Sequence, residues 1–337
     1  MITLPRRSGR FMMQDAIPEK ARRQVLKTGT ARTRSYRNSL KKDSSLYLLA
    51  LPGIIVLILF AYLPMSGLIL VFKNYNFNDG IFGSPWAGFS NFEFFFSSME
   101  DALRATRNTV ILNALYMLTG TFFSVAIAII LNELRSKWFI KVTQSVMFFP
   151  YFISWIIIGA ILFSLLDYDK GIFNQLLTTL GWGQVDWYSS PWLFVIILVL
   201  ANIWKSAGYG AIIYYAVLQG VDTSYYEAAK IDGASRWQII TKITLPMLIP
   251  SIILMSLLNI GGMLKGDLSM IMGVTFLNPL LLPTTDIIDV YVYRTAIRSG
   301  EFGFASAITL YQSVFGFILV LAANKLAGWY DKDSKLF

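Results

Sequence analysis

Six stretches of the sequence, roughly 46–72, 109–131, 146–166, 191–218, 245–264 and 303–327, are apolar over membrane-crossing lengths. A helix rising about 1.5 Å per residue needs about 20 such residues to cross a hydrocarbon core of about 30 Å. In lipid every backbone N–H and C=O must be satisfied without water, so spans of this kind are helices. Composition agrees: 55% of the 337 residues are hydrophobic and 15% charged, too apolar to cover a soluble protein of this size. The expected fold is an all-α polytopic membrane protein with six transmembrane helices over residues 46–327. No tandem repeat or low-complexity tract interrupts it.

Charge sets the orientation. Residues 1–42 hold twelve Lys/Arg against Asp15 and Glu19, a local +10 in a chain of net +9, which leaves the remainder at −1. Residues 1–45 therefore read as a basic cytoplasmic tail lying against anionic lipid, not as a nucleic-acid arm. No short apolar core with a small-residue cleavage site marks the tail as a signal peptide. An even number of spans returns residues 328–337 to the same side. With that topology 21 of the 29 Lys/Arg fall on the side of the N-terminus, counting Lys325 at the end of the last span, seven on the other, and Lys205 lies well inside a span. Both termini are expected in the cytoplasm.

Absent residue types narrow the chemistry. There is no Cys and no His, so disulfides, thiolate or imidazole metal sites and Cys or His nucleophiles are excluded. No metal site and no catalytic residue is expected. The dipeptide Gly-Lys never occurs, so no phosphate-binding loop is present. A secondary transporter is an alternative, but it needs an intramembrane acid relay, and Asp267 is the only acid near mid-membrane. An intramembrane enzyme needs a catalytic pair, and none stands out.

Pro52 and Pro64 in the first span predict kinks. The following loop, Lys73 to Arg107, is rich in aromatic residues, among them Phe77, Phe82, Trp86 and Phe89, and is suited to the outer headgroup zone. The fifth span is interrupted at Gly261, Gly262, Lys265, Gly266 and Asp267, with a second apolar piece from Leu268 to Leu282. A break at membrane depth points to a cavity or another subunit.

The segment 219–244 carries the most information. Ser224 and Glu227 have the spacing of a capping box that starts a short helix, and Gly233 supplies a left-handed turn to end it. Helix then resumes from Arg236 to Ile243, until Pro246 opens the next span. Ala228 and Ala229, flanked by Tyr225 and Tyr226, leave a small surface that lets the backbone sit close to a partner, with Glu227 and Lys230 at its edge. An ordinary membrane-surface helix would carry large apolar residues where the two alanines stand.

The spacing of Glu227, Ala228, Ala229, Gly233, Ile243, Leu245 and Pro246 resembles the EAA loop of ABC importer permeases. Further segments, Pro85–Phe92, Phe149–Trp155, Asn202–Lys205, Asp289–Arg294 and Tyr311–Val314, are similar to the carbohydrate-uptake branch of that family, in particular complex-polysaccharide permeases. The likeness covers the chain after residue 45. It implies a type I importer permease fold whose short helix is a coupling helix seated in a cytoplasmic ATPase subunit, with Tyr226, Glu227, Ala228, Ala229, Asp232, Gly233 and Arg236 as the coupling residues. It also implies two ATPase subunits that bind ATP and Mg, a second and non-identical permease, an extracytoplasmic solute-binding protein, and an oligosaccharide or polysaccharide as cargo. No cofactor is expected on this chain. An ABC importer for another solute is the nearest alternative.

Polar residues within spans are candidates for the cargo path: Asn113, Tyr116, Asn202, Lys205, Tyr209 and Asn259, with Lys265 and Asp267 at the break. Each has a second reading as helix–helix glue. Lys205 must face the bundle interior, either to meet sugar hydroxyls or carboxylates or to form a fixed ion pair, Asp267 being one partner. Asp286, Asp289 and Arg294 on the outer side line the cavity mouth or meet the binding protein; the sequence does not separate these.

Overall fold

The computed structural model describes residues 44–97 and 99–330. Nearly all of the basic tail and most of the C-terminal tail lie outside the described residues. The chain divides into two units, Met1–Ser66 and Gly67–Phe337. Helix α1, Ser45–Phe72, is helical throughout. Its prolines do not break it: a π-helical turn, Ile58–Tyr62, directly precedes Pro64, and a 3-10 stretch, Ser66–Phe72, completes it. The widened turn accommodates a residue that can donate no backbone hydrogen bond.

Among the described residues of the second unit, the long elements are α2, Met99–Glu133, the bent pair α3, Lys137–Phe152, and α4, Trp155–Leu166, and then α5, Pro191–Gln219. They continue with α6, Thr223–Ile231, α7, Arg236–Gly261, α8, Leu268–Thr275, and α9, Phe302–Tyr330. Five helices, α1, α2, α5, α7 and α9, are long and apolar enough to cross a membrane, and the α3–α4 pair makes six.

Two boundaries differ from the sequence expectation. The third span, expected to run straight over 146–166, is bent by 95° between α3 and α4. Pro150 sits in a 3-10 turn, Phe149–Phe152, and the Ser154 hydroxyl starts α4 anew by accepting from Ile157 N at 3.4 Å. Hydropathy is continuous across that bend and gives no sign of it. The fifth span begins at Arg236, not at Pro246. Helix α7 passes through Pro246 because a π turn, Ile240–Thr244, precedes it, as at Pro64.

Packing is set by small residues and large ones in alternation. Helix α5 lies along α2, and α8 lies against α4. A Cβ built on Gly159 of α4 would stand 1.8 Å from the Gly273 carbonyl oxygen of α8, so the two backbones touch. Around that crossing Trp155, Ile158, Phe194, Leu198, Met270 and Val274 form the largest core. A second cluster joins Ala105, Leu264, Ile288, Tyr291, Phe304 and Ile308, and a third joins Val125, Ala128, Tyr214, Leu218 and Leu248. Helix α8 ends with Phe276 and Leu277 at φ of 54° and 53°, a left-handed turn made by two non-glycine residues.

The loop after α1 is folded. The buried Lys73 ammonium donates to the carbonyls of Phe82 and Ser84, the latter at 3.0 Å, and lies 5.3 Å from the Trp86 ring centroid. Asn91 donates to Val71 O at 2.8 Å and Lys73 O at 3.1 Å. Phe77, Phe82, Trp86 and Phe89 remain exposed on this stapled loop.

Candidate functional site: a polar cavity and an exposed loop helix

The interrupted fifth span opens onto a cavity of about 790 Å3. Asn113, Tyr116, Asn202, Tyr209, Asn259, Lys265 and Asp267 all line it, together with Thr121, Ser124, Ser206, Ser269 and Asp289. Residues from α2, α5 and α7 and from the 262–267 break thus converge on one space. The side chains line it because they sit at interior positions of long helices whose other faces are apolar.

Several of these groups are already engaged. Asn113 donates to Met263 O at 2.7 Å and Lys265 O at 3.2 Å, satisfying carbonyls that the break leaves without helical partners. Asp267 accepts from the Trp155 indole N–H at 2.7 Å and from Met270 N at 2.9 Å, which caps α8. Tyr209 stacks on Tyr151 with ring centroids 4.5 Å apart and 11° between planes. The Tyr116 hydroxyl is buried and, among the described residues, has no hydrogen-bond partner. Lys265 is exposed and makes no ion pair among the described residues; it also borders a second cavity of about 670 Å3 with Asp289 and Gln312.

Lys205 stands apart from the other candidates. It is the middle residue of α5, yet it does not line the cavity. Its ammonium donates to the carbonyls of Tyr151 at 2.8 Å and Ile153, with Pro150 O at 3.4 Å, and sits 5.3 Å from the Trp155 ring centroid. The ion pair with Asp267 weighed from the sequence is not formed, and neither is a cavity contact. The ammonium's three N–H donors are taken up by backbone carbonyls at the α3–α4 bend, while the Asp267 carboxylate is engaged by Trp155 and Met270 N.

Asp286 is fully buried between two guanidinium groups, Arg104 at 3.0 Å and Arg294 at 2.6 Å. Its burial corrects the reading of Asp286 as a residue of a cavity mouth or docking loop. Asp289 lines the cavity and also ties elements together, accepting from Gly266 N at 2.6 Å and the Gln312 amide at 3.0 Å. Its link to Gln312, on α9, has no local signal in the sequence.

The second arrangement is the loop between α5 and α7. Helix α6 begins at Asp222, whose carboxylate accepts from Ser224 N at 2.9 Å. The expected Ser224/Glu227 capping box is not the start: Asp222 has the extended backbone of a cap, while Ser224 already lies in the first turn. That N–H bond holds the Asp222 carboxyl below the usual carboxylate range. The helix ends in a Schellman turn, Gly233 N to Lys230 O and Ala234 N to Ala229 O, with Gly233 at φ 75° and Asp232 N bonded to Ala228 O. The capping box present is Ser235 with Gln238, and it starts α7 at Arg236.

No residue of α6 is buried. Ile231 is 86% exposed and Trp237 72%, and Glu227, Ala228 and Arg236 are exposed as well, while Ala229 and Tyr226 are partly covered. A nine-residue helix has little stability alone, so one with no buried residue among the described residues is built to gain packing elsewhere.

A family model described as the binding-protein-dependent transport system inner membrane component matches residues 120–331. The chain belongs to this family. The permease is 35% identical to protein LplB of Bacillus subtilis over 319 residues, 95% of this chain and 99% of that protein. It is 36% identical to the polygalacturonan/rhamnogalacturonan transport system permease protein YteP of the same organism over 290 residues, 86% and 89% of the two chains. A chain in the crystal structure of a bacterial ABC transporter involved in the import of the acidic polysaccharide alginate superposes with a TM-score of 0.78. That chain is 33% identical, with 86% of this chain and 97% of that one covered. The permease is therefore a multi-pass membrane component of a carbohydrate-type ABC transporter, a transport subunit and not an enzyme, with the type I permease fold.

Proposed function

We propose that the permease passes an oligosaccharide or polysaccharide through the 790 Å3 cavity, driven by ATP hydrolysis on separate subunits to which it couples through α6. The carrying observation is α6 itself: a short helix, capped at both ends by its own sequence, with none of its residues buried among the described residues. The extreme exposure of Ile231 and Trp237 supports a protein groove as its destination.

The cargo class rests on relatives whose names specify polygalacturonan, rhamnogalacturonan and alginate, and on a cavity rich in amide, hydroxyl and phenol groups. Such groups exchange hydrogen bonds with sugar hydroxyls, and Tyr209 offers a ring face for a sugar ring. The working assembly is this chain, a second and non-identical permease, two ATPase subunits carrying ATP and Mg, and an extracytoplasmic binding protein. A related importer was crystallised with an alginate pentasaccharide-bound periplasmic protein, which supports that last partner. The membrane is the bacterial inner membrane, with both termini and α6 on the cytoplasmic side.

The test is ATP hydrolysis in proteoliposomes holding the permease, its partner permease and an ATPase subunit. Loaded binding protein should stimulate hydrolysis in wild type, and Glu227→Ala and Gly233→Pro should abolish the stimulation or the assembly. Wild type that never assembles with an ATPase overturns the proposal.

A further inference from the structure

The two interrupted helices of the permease are wired to each other. At the first break, Lys205 reaches from α5 into the α3–α4 bend and donates to the carbonyls of Tyr151 and Ile153, with Pro150 O within reach. Carbonyls at a helix end have no intrahelical partner, and here the surroundings are lipid and protein. A lysine ammonium carries three donors and no acceptor, so it satisfies such a ring without leaving a group of its own unpaired. The Tyr151 and Trp155 rings flank it at 5.8 and 5.3 Å. The bend is thus fixed by a residue 52 positions away in the chain.

Trp155, the first residue of α4, then bonds Asp267, the last residue of the second break and the cap of α8. Four residues further along α4, Gly159 meets Gly273 of α8 backbone to backbone. With a polar tie at one end and a glycine contact further along, α4 and α8 cannot shift independently without opening a part-buried hydrogen bond and a close-packed crossing. Of the three residues in this chain of contacts, only Asp267 lines the cavity.

We propose that α4 and α8 form one gate element at the cavity, with Lys205 and Trp155 as positioning residues, and that cargo acts on the gate at Asp267. Sugar hydroxyls are O–H donors, and when they reach the Asp267 carboxylate they compete with the Trp155 indole N–H and loosen the polar tie that anchors the paired α4 and α8 at the break. The proposal rests on reading the cavity as the cargo path. It assigns Lys205 to holding the gate and not to touching cargo.

The experiment uses the assembled complex in proteoliposomes with Trp155→Phe, Asp267→Asn, the double variant and Lys205→Met. Phenylalanine keeps the ring and removes the donor; asparagine replaces one acceptor oxygen. Because the chain has no cysteine, a single Ser206→Cys on the cavity wall reports access to an aqueous maleimide. Each single variant is expected to raise resting hydrolysis and labelling about fivefold, with the double variant no further raised. In wild type, loaded binding protein should raise labelling, and Asp267→Asn should be insensitive to it.

Wild-type labelling in both Trp155→Phe and Asp267→Asn overturns the proposal, and so do effects that multiply in the double variant, because they then act at separate places. Should Lys205→Met fail to assemble, the Trp155/Asp267 cycle decides alone. Failure of wild type to assemble with an ATPase is a different result, and it strikes the transport reading and not the gate.

Discussion

Gly159 and Gly273 show how much a single hydrogen atom decides at a helix crossing. No methyl group fits between a helix and a carbonyl oxygen 1.8 Å from where its carbon would stand, so Gly159→Ala must push α4 and α8 apart. Overpacking of this kind costs about 1–3 kcal/mol, and the expected outcome is a lower unfolding temperature of the purified complex, with Gly53→Ala, which meets nothing within 4 Å, as the control. Asp222 makes the complementary case at an exposed site. Its carboxyl is held below the usual range by the Ser224 N–H, so its capping contribution is present above the ordinary carboxylate pKa and is lost only as pH falls through the lowered value. Coupling should therefore be insensitive to this group across neutral pH. Asp222→Asn, which caps nearly as well, should keep stimulated hydrolysis, whereas Asp222→Ala should reduce it; equal loss in both variants would show that the charge and not the cap matters.

At the scale of elements, legibility followed the distance over which each feature is specified. The α6 turn is written within a dozen residues, so Gly233 and its left-handed φ could be read directly, although the cap was misplaced from Asp222 to Ser224. The break at 262–267 was also legible, because Gly261, Gly262 and Asp267 are local signals. The α3–α4 bend was passed over: Pro150 and Ser154 are local break signals within an otherwise apolar stretch, but what holds the bend is Lys205 on another helix. The π turn at Ile240–Thr244 was hidden for a related reason: Pro246 signals a helix start as well as a widened turn. One inserted residue rotates everything before it by about 100° relative to a regular helix, so this turn sets the direction in which the α5–α7 loop presents α6. Pro246→Ala returns an N–H to the ladder and removes the reason for the widening. Stimulated hydrolysis should fall several-fold while expression is kept; wild-type coupling would mean that other contacts hold the turn.

Across the whole permease, seven of the eight cargo-path candidates meet at one cavity although they come from segments up to 154 residues apart, because polar residues inside apolar spans have few places to go. The same logic did not place Asp286, which lies in a short polar-flanked stretch and reads as surface. In the structure it is fully buried and joins Arg104 at the start of α2 to Arg294, 190 residues later in the chain. One Asp286 oxygen and the Nε atoms of both arginines have no partner among the described residues, so the cluster is only partly satisfied. Removing the acid alone leaves two partly exposed cations facing each other, with Asp101 at 2.6 Å the remaining carboxylate on Arg104, and breaking a buried pair in this way costs about 3 kcal/mol. Replacing the group by apolar residues removes that cost together with the attraction. Asp286→Asn should therefore lower the unfolding temperature of the complex clearly, and Arg104→Met, Asp286→Leu and Arg294→Met combined should recover most of it. Since the cluster touches neither the cavity wall nor α6, the combined variant should also retain stimulated hydrolysis; a stable but uncoupled triple variant would make the cluster part of the transport cycle and not of the scaffold.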